Sequence, residues 1–390
     1  MQIQKCVASA LTFFMSVSLF SACNLNNKNE LQITNTQMYS QEVCDYLRAE
    51  DDYEQIMALQ SADIYDKQRT TVRWERQEKA DSYTVVLSKN ADMSHEMQYV
   101  VDGSETEYTF NALIPNTKYY VKLQSHDESG KMLRETKSQN FITQADFCQR
   151  IVNVDGVSNV RDIGGYKAQG NSKVQYGLIY RGARLNAITD EGIATFTKEL
   201  GIKTELDVRY GTDGGKAVDM EGVAYKQFGM WAYNSILPDT CQPKASGAGL
   251  FDARTIDGIK GVFETIANPD NLPVYIHCTA GADRTGTICY LINGVLGVEY
   301  EGIVQDFELT SFSEQGRRWR SSVKNWEFES SGVMQNDEKN FIAFGQMHSL
   351  MMQWYAQSGE TLQKAIENYL TSVCDISMQT IYAVRENLLA

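Results

Sequence analysis

Three apolar residues, Val274-Tyr275-Ile276, run into His277-Cys278-Thr279-Ala280-Gly281-Ala282-Asp283-Arg284-Thr285-Gly286, and a helical run from Thr287 to Leu296 follows. Strand, tight loop, helix start: this order constrains the fold more than any other stretch. A helix N-terminus carries unpaired N–H groups, and a loop curling into one makes an anion cradle. The residue types suit phosphoryl chemistry. The thiolate is the attacking form of cysteine, and it is favoured near helix N-termini and arginine. Backbone N–H groups of Thr279, Ala280, Gly281, Ala282, Asp283 and Arg284 are placed to bind three non-bridging oxygens. The Arg284 fork suits the charge of a phosphoryl transition state. Gly281 and Gly286 permit the tight path. The Thr285 hydroxyl is placed to hydrogen-bond the Cys278 sulfur, and His277 orders the loop rather than acting as a base. The competing reading is a buried strand cysteine before a helix that happens to begin Asp-Arg-Thr.

Around this loop the chain alternates. Lys203–Val208, Val223–Phe228 and Val274–His277 read as strands; Thr189–Leu200, Asp252–Ala267 and Arg284–Leu296 read as helices, the first capped by Thr189. Such alternation implies an α/β domain with a parallel-rich central sheet flanked by helices, over residues 150–390. The site is expected at the carboxyl end of its central strand. Residues 65–145 differ. Tyr83, Val85 and Leu87 alternate, as do Tyr119, Val121 and Leu123, with turn signals at Gly103, Asn111, Pro115-Asn116 and Gly130. Period-two strands about every ten residues predict an all-β sandwich.

Charge narrows the partners. With 36 basic and 50 acidic residues the formal charge is −14. Nucleic acid is a poor partner for such a surface, and phosphate binding must come from the local cradle. Residues 1–22 read as a leader: Lys5, an apolar stretch from Cys6, then Phe20-Ser21-Ala22-Cys23. That last tetrapeptide resembles a bacterial lipobox, which implies lipidation of Cys23 and an exported, membrane-anchored protein. Residues 23–64 read as tether and lead-in. Six further cysteines remain, of which Cys44 and Cys148 bracket the sandwich; spacing assigns no bridge. No metal-ligand pattern appears, and no cofactor is called for.

The ten-residue loop resembles the signature of the cysteine-dependent protein tyrosine phosphatase superfamily. Its Asp-Arg form is similar to a branch of bacterial secreted, atypical tyrosine and dual-specificity phosphatases, some acting on phosphoinositides. Asn159-Val160-Arg161-Asp162-Ile163-Gly164-Gly165, Gly177-Leu178-Ile179-Tyr180-Arg181-Gly182 and Leu206-Asp207-Val208-Arg209 match further motifs of that branch, and Leu296-Gly297-Val298 followed by Ile303-Val304-Gln305-Asp306-Phe307 fits the helix after the loop. The resemblance implies a phosphomonoesterase acting on a phosphorylated protein or small phosphomonoester through a cysteinyl-phosphate; a phosphoinositide or inositol phosphate phosphatase is the alternative, and a non-catalytic phosphate-binding or adhesion lipoprotein is the reading of another class. Ala282 stands where many members carry lysine, which argues against highly charged substrates. Residues 65–145 resemble a fibronectin type III module, with Trp74 as its buried tryptophan and Leu113, Pro115, Thr117 and Tyr119 at the corner before its sixth strand.

The general acid stays open among three carboxylates. Asp207 matches the branch's Asp-Leu-Arg position, Asp239 lies in Leu237-Pro238-Asp239, and Asp283 lies inside the cradle. Arg209 is an equally good structural partner for Asp207. Arg161 and Asp162 are expected to shape the cleft. Arg317-Arg318-Trp319-Arg320 reads as a solvated basic cluster or a phosphate contact. Met347, Leu350, Met351 and Trp354 share one helix face, read as core or as a lid.

Overall fold

The computed structural model describes residues 31–35, 70–143, 150–214, 217–241, 251–315, 318 and 336–390. Cys23, the leader, and Cys44 and Cys148 lie outside them. Eight antiparallel strands form the N-terminal domain: β1 (Gln32–Asn35), β2 (Thr70–Arg73), β3 (Ser82–Ser88), β4 (Met97–Asp102), β5 (Glu107–Phe110), β6 (Lys118–His126), β7 (Met132–Glu135) and β8 (Gln139–Ile142). One sheet runs β1-β2-β5; the other runs β4-β3-β6-β7, with β8 also against β6. Tyr83, Val85 and Leu87 meet Trp74, Tyr119, Val121 and Leu123 in a buried core, as their alternation requires. The Ile114 N–H donates to the Tyr119 hydroxyl at 2.9 Å, tying the corner before β6. One boundary shifts: Gln32–Asn35, expected in the lead-in, is an edge strand paired with β2. Four residues are too few for periodicity to register.

The second domain has one six-stranded sheet, ordered β13-β12-β14-β11-β10-β9. Its strands are β9 (Arg150–Ile151), β10 (Arg161–Asp162), β11 (Ile179–Gly182), β12 (Thr204–Asp207), β13 (Ala224–Gln227) and β14 (Val274–His277). The four from β13 to β11 are parallel, while β10 and β9 add an antiparallel edge. β14 lies between β12 and β11 and is buried throughout, so the cysteine that follows it leaves the sheet centre. The helices are α1 (Asp190–Ala194), α2 (Ala253–Ala267), α3 (Asp283–Val295), α4 (Tyr300–Glu308), α5 (Asn336–Tyr355), α6 (Leu362–Ser372) and α7 (Met378–Leu388). The Thr189 side chain caps α1 by accepting from the Gly192 N–H at 3.1 Å. Every residue of α3 from Thr285 to Val295 is buried, which explains its apolar run on all faces. Met347, Leu350 and Met351 of α5 are buried in the same core, whereas Trp354 is half exposed. Among the described residues no helix is long and apolar enough to cross a membrane.

The two domains touch through polar bonds. Glu199, just after α1, accepts from the Asn111 N–H at 3.1 Å and the Tyr108 hydroxyl at 3.3 Å. Arg150 donates to the Ala112 carbonyl. Burial raises the Glu199 pKa to about 7, outweighing the Asn111 and Tyr108 bonds that lower it. A carboxyl raised in the folded state adds stability that is complete below its unfolded value and lost as pH rises through the folded value. Stability should therefore fall between roughly pH 4.5 and 7. Calorimetric melts of Glu199→Gln across that window should show the variant gaining on the parent as pH rises. A constant difference would remove Glu199 as the cause.

Candidate active site

The loop after β14 is held from behind by its carbonyls. The Cys278 carbonyl accepts from His277 Nδ1 at 3.0 Å and the Thr279 carbonyl from the Arg184 N–H at 3.1 Å. Asn159 Nδ2 donates to the Ala280 carbonyl at 2.9 Å. Arg181 Nη2 donates to the carbonyls of Gly281 at 2.7 Å and Ala282 at 3.3 Å. In a trans peptide the C=O and the next N–H point in opposite directions. Tying back the carbonyls of residues 278–282 therefore turns the N–H groups of residues 279–283 toward the opposite side, as an oxyanion cradle needs. Gly281 has φ of 67°, and a Cβ there would lie 2.1 Å from the Gly182 carbonyl, so only glycine closes the loop. Ala282 stands at the N-cap of α3 with no side chain to occupy the first-turn N–H groups.

A buried ion cluster fixes Arg181, which bonds the loop, and Arg161, which bonds the Asn159 side chain that also holds it. Asp306 of α4 receives Arg161 Nε at 2.9 Å and pairs with Arg181 through its other oxygen. Burial would raise the Asp306 pKa, but Arg181 and Arg161 outweigh it and hold the carboxyl below its ordinary value. Asp162, beside it in β10, accepts from the Gly164 and Gly177 N–H groups and from Arg150 at 2.7–2.9 Å. The segments 159–165, 177–182 and 303–307 thus converge behind one loop; Arg161 backs it through Asn159 and Asp306, whereas Asp162 ties Gly164, Gly177 and Arg150 and makes no bond to the loop.

Cys278 is 3% exposed at the start of this loop. His277 beneath it is buried, with Nε2 2.9 Å from Glu205 Oε1. Its two ring nitrogens face a carbonyl and a carboxyl, which suits ordering and leaves neither free as a base. The Thr285 hydroxyl is buried without a hydrogen-bond partner; the bond to Cys278 expected from sequence is not formed. Arg284 pairs with Asp213 at the end of the turn after β12, and its Nη2 reaches Thr279 Oγ1 at 3.4 Å. Asp213 was not singled out by sequence: it sits in Tyr210-Gly211-Thr212-Asp213, which carries only turn signals.

The three expected proton donors sit differently. Asp207 is fully buried and takes a bidentate pair from Arg209 at 2.8–2.9 Å, plus the Tyr225 hydroxyl at 3.1 Å. Burial pushes its pKa up, but Arg209 and the nearby His277 outweigh this and leave it below the ordinary value. Fully buried between Arg209 and Tyr225, Asp207 presents no exposed oxygen, which moves it from first place among the acids. Asp239 accepts from the Phe251 N–H at 3.2 Å on an exposed turn. Asp283 lies at the cradle rim, accepting from the Tyr233 hydroxyl and from Arg318 Nε at 2.9 Å. Arg318, the described member of the basic cluster, is thus a partner of Asp283 and 7% exposed rather than solvated.

A tyrosine phosphatase family model matches residues 152–390, well over half of the chain. The chain belongs to the tyrosine phosphatase family. A fibronectin type III domain model matches residues 56–141. A Cupriavidus necator protein named, by inference, a tyrosine-protein phosphatase is 27% identical over 171 residues, covering 39% of this chain and 60% of that protein. The chain therefore aligns with less than two thirds of that relative's length. The core catalytic domain of a PP-IP phosphatase from S. cerevisiae, in complex with citrate, has 17% identity and a TM-score of 0.26 over 43% of this chain and 82% of its own. The fibronectin type III domain of human contactin 1 has 12% identity and a TM-score of 0.21 over 30% of this chain and 76% of its own. At these scores neither likeness bears on the assignment.

Removing one member of the buried cluster tests how the family loop is held. Arg181→Ala leaves Asp306 short of a partner, and breaking such a pair costs about 3–5 kcal/mol. Urea unfolding should show a loss of that size, with phosphate affinity falling beyond what the unfolded fraction accounts for.

Proposed function

We propose that the chain is a cysteine-dependent phosphomonoesterase, a protein tyrosine or dual-specificity phosphatase in type. The observation that carries this reading is the row of tied-back carbonyls over 278–282, which aims the loop's N–H groups away from the core beside Cys278 and Arg284. The Cys278 thiolate attacks phosphorus, forming an S–P bond as the ester P–O bond breaks. The leaving oxygen takes a proton from a carboxylic acid. Water then attacks phosphorus and gives a proton back to that carboxylate, the S–P bond breaks, and inorganic phosphate leaves with the thiolate and the acid restored. Arg284 holds the equatorial oxygens, and Asp213 holds Arg284 until the phosphate takes its place.

With 4-nitrophenyl phosphate the full chain should turn over without added metal and be inhibited by vanadate. Cys278→Ser should abolish turnover yet keep phosphate binding. Full activity of that variant, or strict dependence on a divalent metal, would sink the mechanism.

The proton donor is read as one of the two carboxylates at the cradle rim, Asp283 or Asp213. Asp283 is bonded to Tyr233 and Arg318, whereas Asp213 loses its partner when phosphate engages Arg284. Loss of the donor should slow poor leaving groups by about 10²–10⁴ and spare good ones. Comparing Asp283→Asn, Asp213→Asn and Asp207→Asn on aryl and alkyl esters separates them. A selective loss in Asp207→Asn would restore that residue to the role.

A further inference from the structure

Two rows of residues cross the antiparallel edge of the phosphatase sheet, and they face opposite ways. Ladder pairing puts Arg150, Asp162 and Tyr180 in one row across β9, β10 and β11, and Ile151, Arg161 and Arg181 in the next. Neighbouring residues of a strand point to opposite faces of its sheet. The second row serves the signature loop: Arg181 bonds the Gly281 and Ala282 carbonyls, and Arg161 bonds Asp306 and Asn159. The first row serves the sandwich. Arg150 is 2% exposed, and its Nη1 donates to Asp162 Oδ2 at 2.9 Å and to the Tyr180 hydroxyl at 3.1 Å. Its Nη2 donates to the carbonyl of Ala112, a sandwich residue.

Ala112 is built into the phosphatase side. It is buried in one apolar cluster with Val152, Val154, Val160 and Tyr180, apart from the cluster that forms the sandwich core. Just before it, Tyr108 and Asn111 bond Glu199, and Asn153 Nδ2 lies 3.4 Å from Asn111 Oδ1. The segment 108–112 thus meets the sheet edge, the turn after β9 and the region after α1. Strands β9 and β10 have two residues each, so they make few ladder bonds of their own. A guanidinium buried at such an edge is costly if it lacks acceptors. The sandwich supplies one of the three that Arg150 uses.

We propose that the sandwich is a working part of the anion site, with Arg150 as the positioning residue that clamps it to the sheet edge from which Arg161 and Arg181 hold the loop. This rests on the phosphatase reading only for what the loop binds. The coupling itself follows from the two rows: loosening the first frees the strands that carry the second. The two domains then open together, as one cooperative unit. A sandwich that merely held the catalytic domain at a distance would unfold on its own.

Urea unfolding of the full chain, followed by pulsed hydrogen exchange, reads both domains at once. Amides of β3 and β6 report the sandwich, and those of β14 and α3 the catalytic domain. All should lose protection at one urea concentration. Val85→Ala, in the sandwich core, should lower both midpoints equally. Arg150→Met should part them, and in water it should weaken inorganic phosphate by about tenfold, the worth of one lost cradle hydrogen bond. Should that variant fail to fold, Arg150→Lys, which keeps the charge but not the fork, takes its place with the same expectation. Separate transitions in the parent, or a Val85→Ala shift confined to β3 and β6, overturn the coupling. An Arg150 variant whose midpoints stay together, or whose phosphate affinity is unchanged, overturns the clamp. A parent that binds no phosphate would instead strike the phosphatase reading, and the unfolding measurements, made without phosphate, still decide the coupling.

Discussion

Everything at this site depends on one guanidinium. Arg181 is completely buried, its charge met by Asp306 through Nη1, and its Nη2 turned to the carbonyls of Gly281 and Ala282. Peptide planes left to themselves would offer their carbonyls to an incoming anion as readily as their N–H groups. A fixed donor behind the loop removes that choice. The arrangement needs a buried cation, and a buried cation needs a buried anion with its own bonds. The Arg161–Asp306–Arg181 cluster meets that requirement, with Asn159 and Arg184 extending it along the loop.

The same logic reconciles a chain of net charge −14 with phosphate recognition. Attraction from a distance is absent, so selectivity must arise within hydrogen-bond range. Arginines near the loop come with carboxylates: Arg181 with Asp306, Arg209 with Asp207, Arg284 with Asp213, Arg318 with Asp283. The first two pairs are buried, while Asp213 and Asp283 are about a third exposed. On the phosphatase reading, the exchangeable pair is Arg284–Asp213, where an incoming phosphate oxygen takes the carboxylate's place on the arginine.

Much of this was legible in the chain. The strand–loop–helix order placed Cys278 at the end of a central strand, and β12, β13 and β14 lie within a residue of the expected segments. Period-two alternation gave the sandwich, and Tyr119 at its corner behaves as its motif implies. What failed to show is what depends on long-range meeting. Asp213 has no local mark, and its significance comes only from Arg284, far along the chain. For Asp207 the chain already offered Arg209, two residues on, as a structural partner, and that bidentate pair forms. The antiparallel edge strands β9 and β10 have two residues each, too short for any period.

Those long-range ties have a consequence for how the domain comes together. The signature loop is contiguous, but its shape is specified by Asn159, Arg181, Arg184 and Asp306, brought in from both sides of the chain. Closing such distant contacts is entropically costly, so the anion site exists only when both flanks of the domain are in place. Its occupancy then reports on the whole domain. Any oxyanion that binds only the finished loop draws the folding equilibrium toward it by mass action, making a small inorganic ion a ligand-borne brace for the entire α/β core.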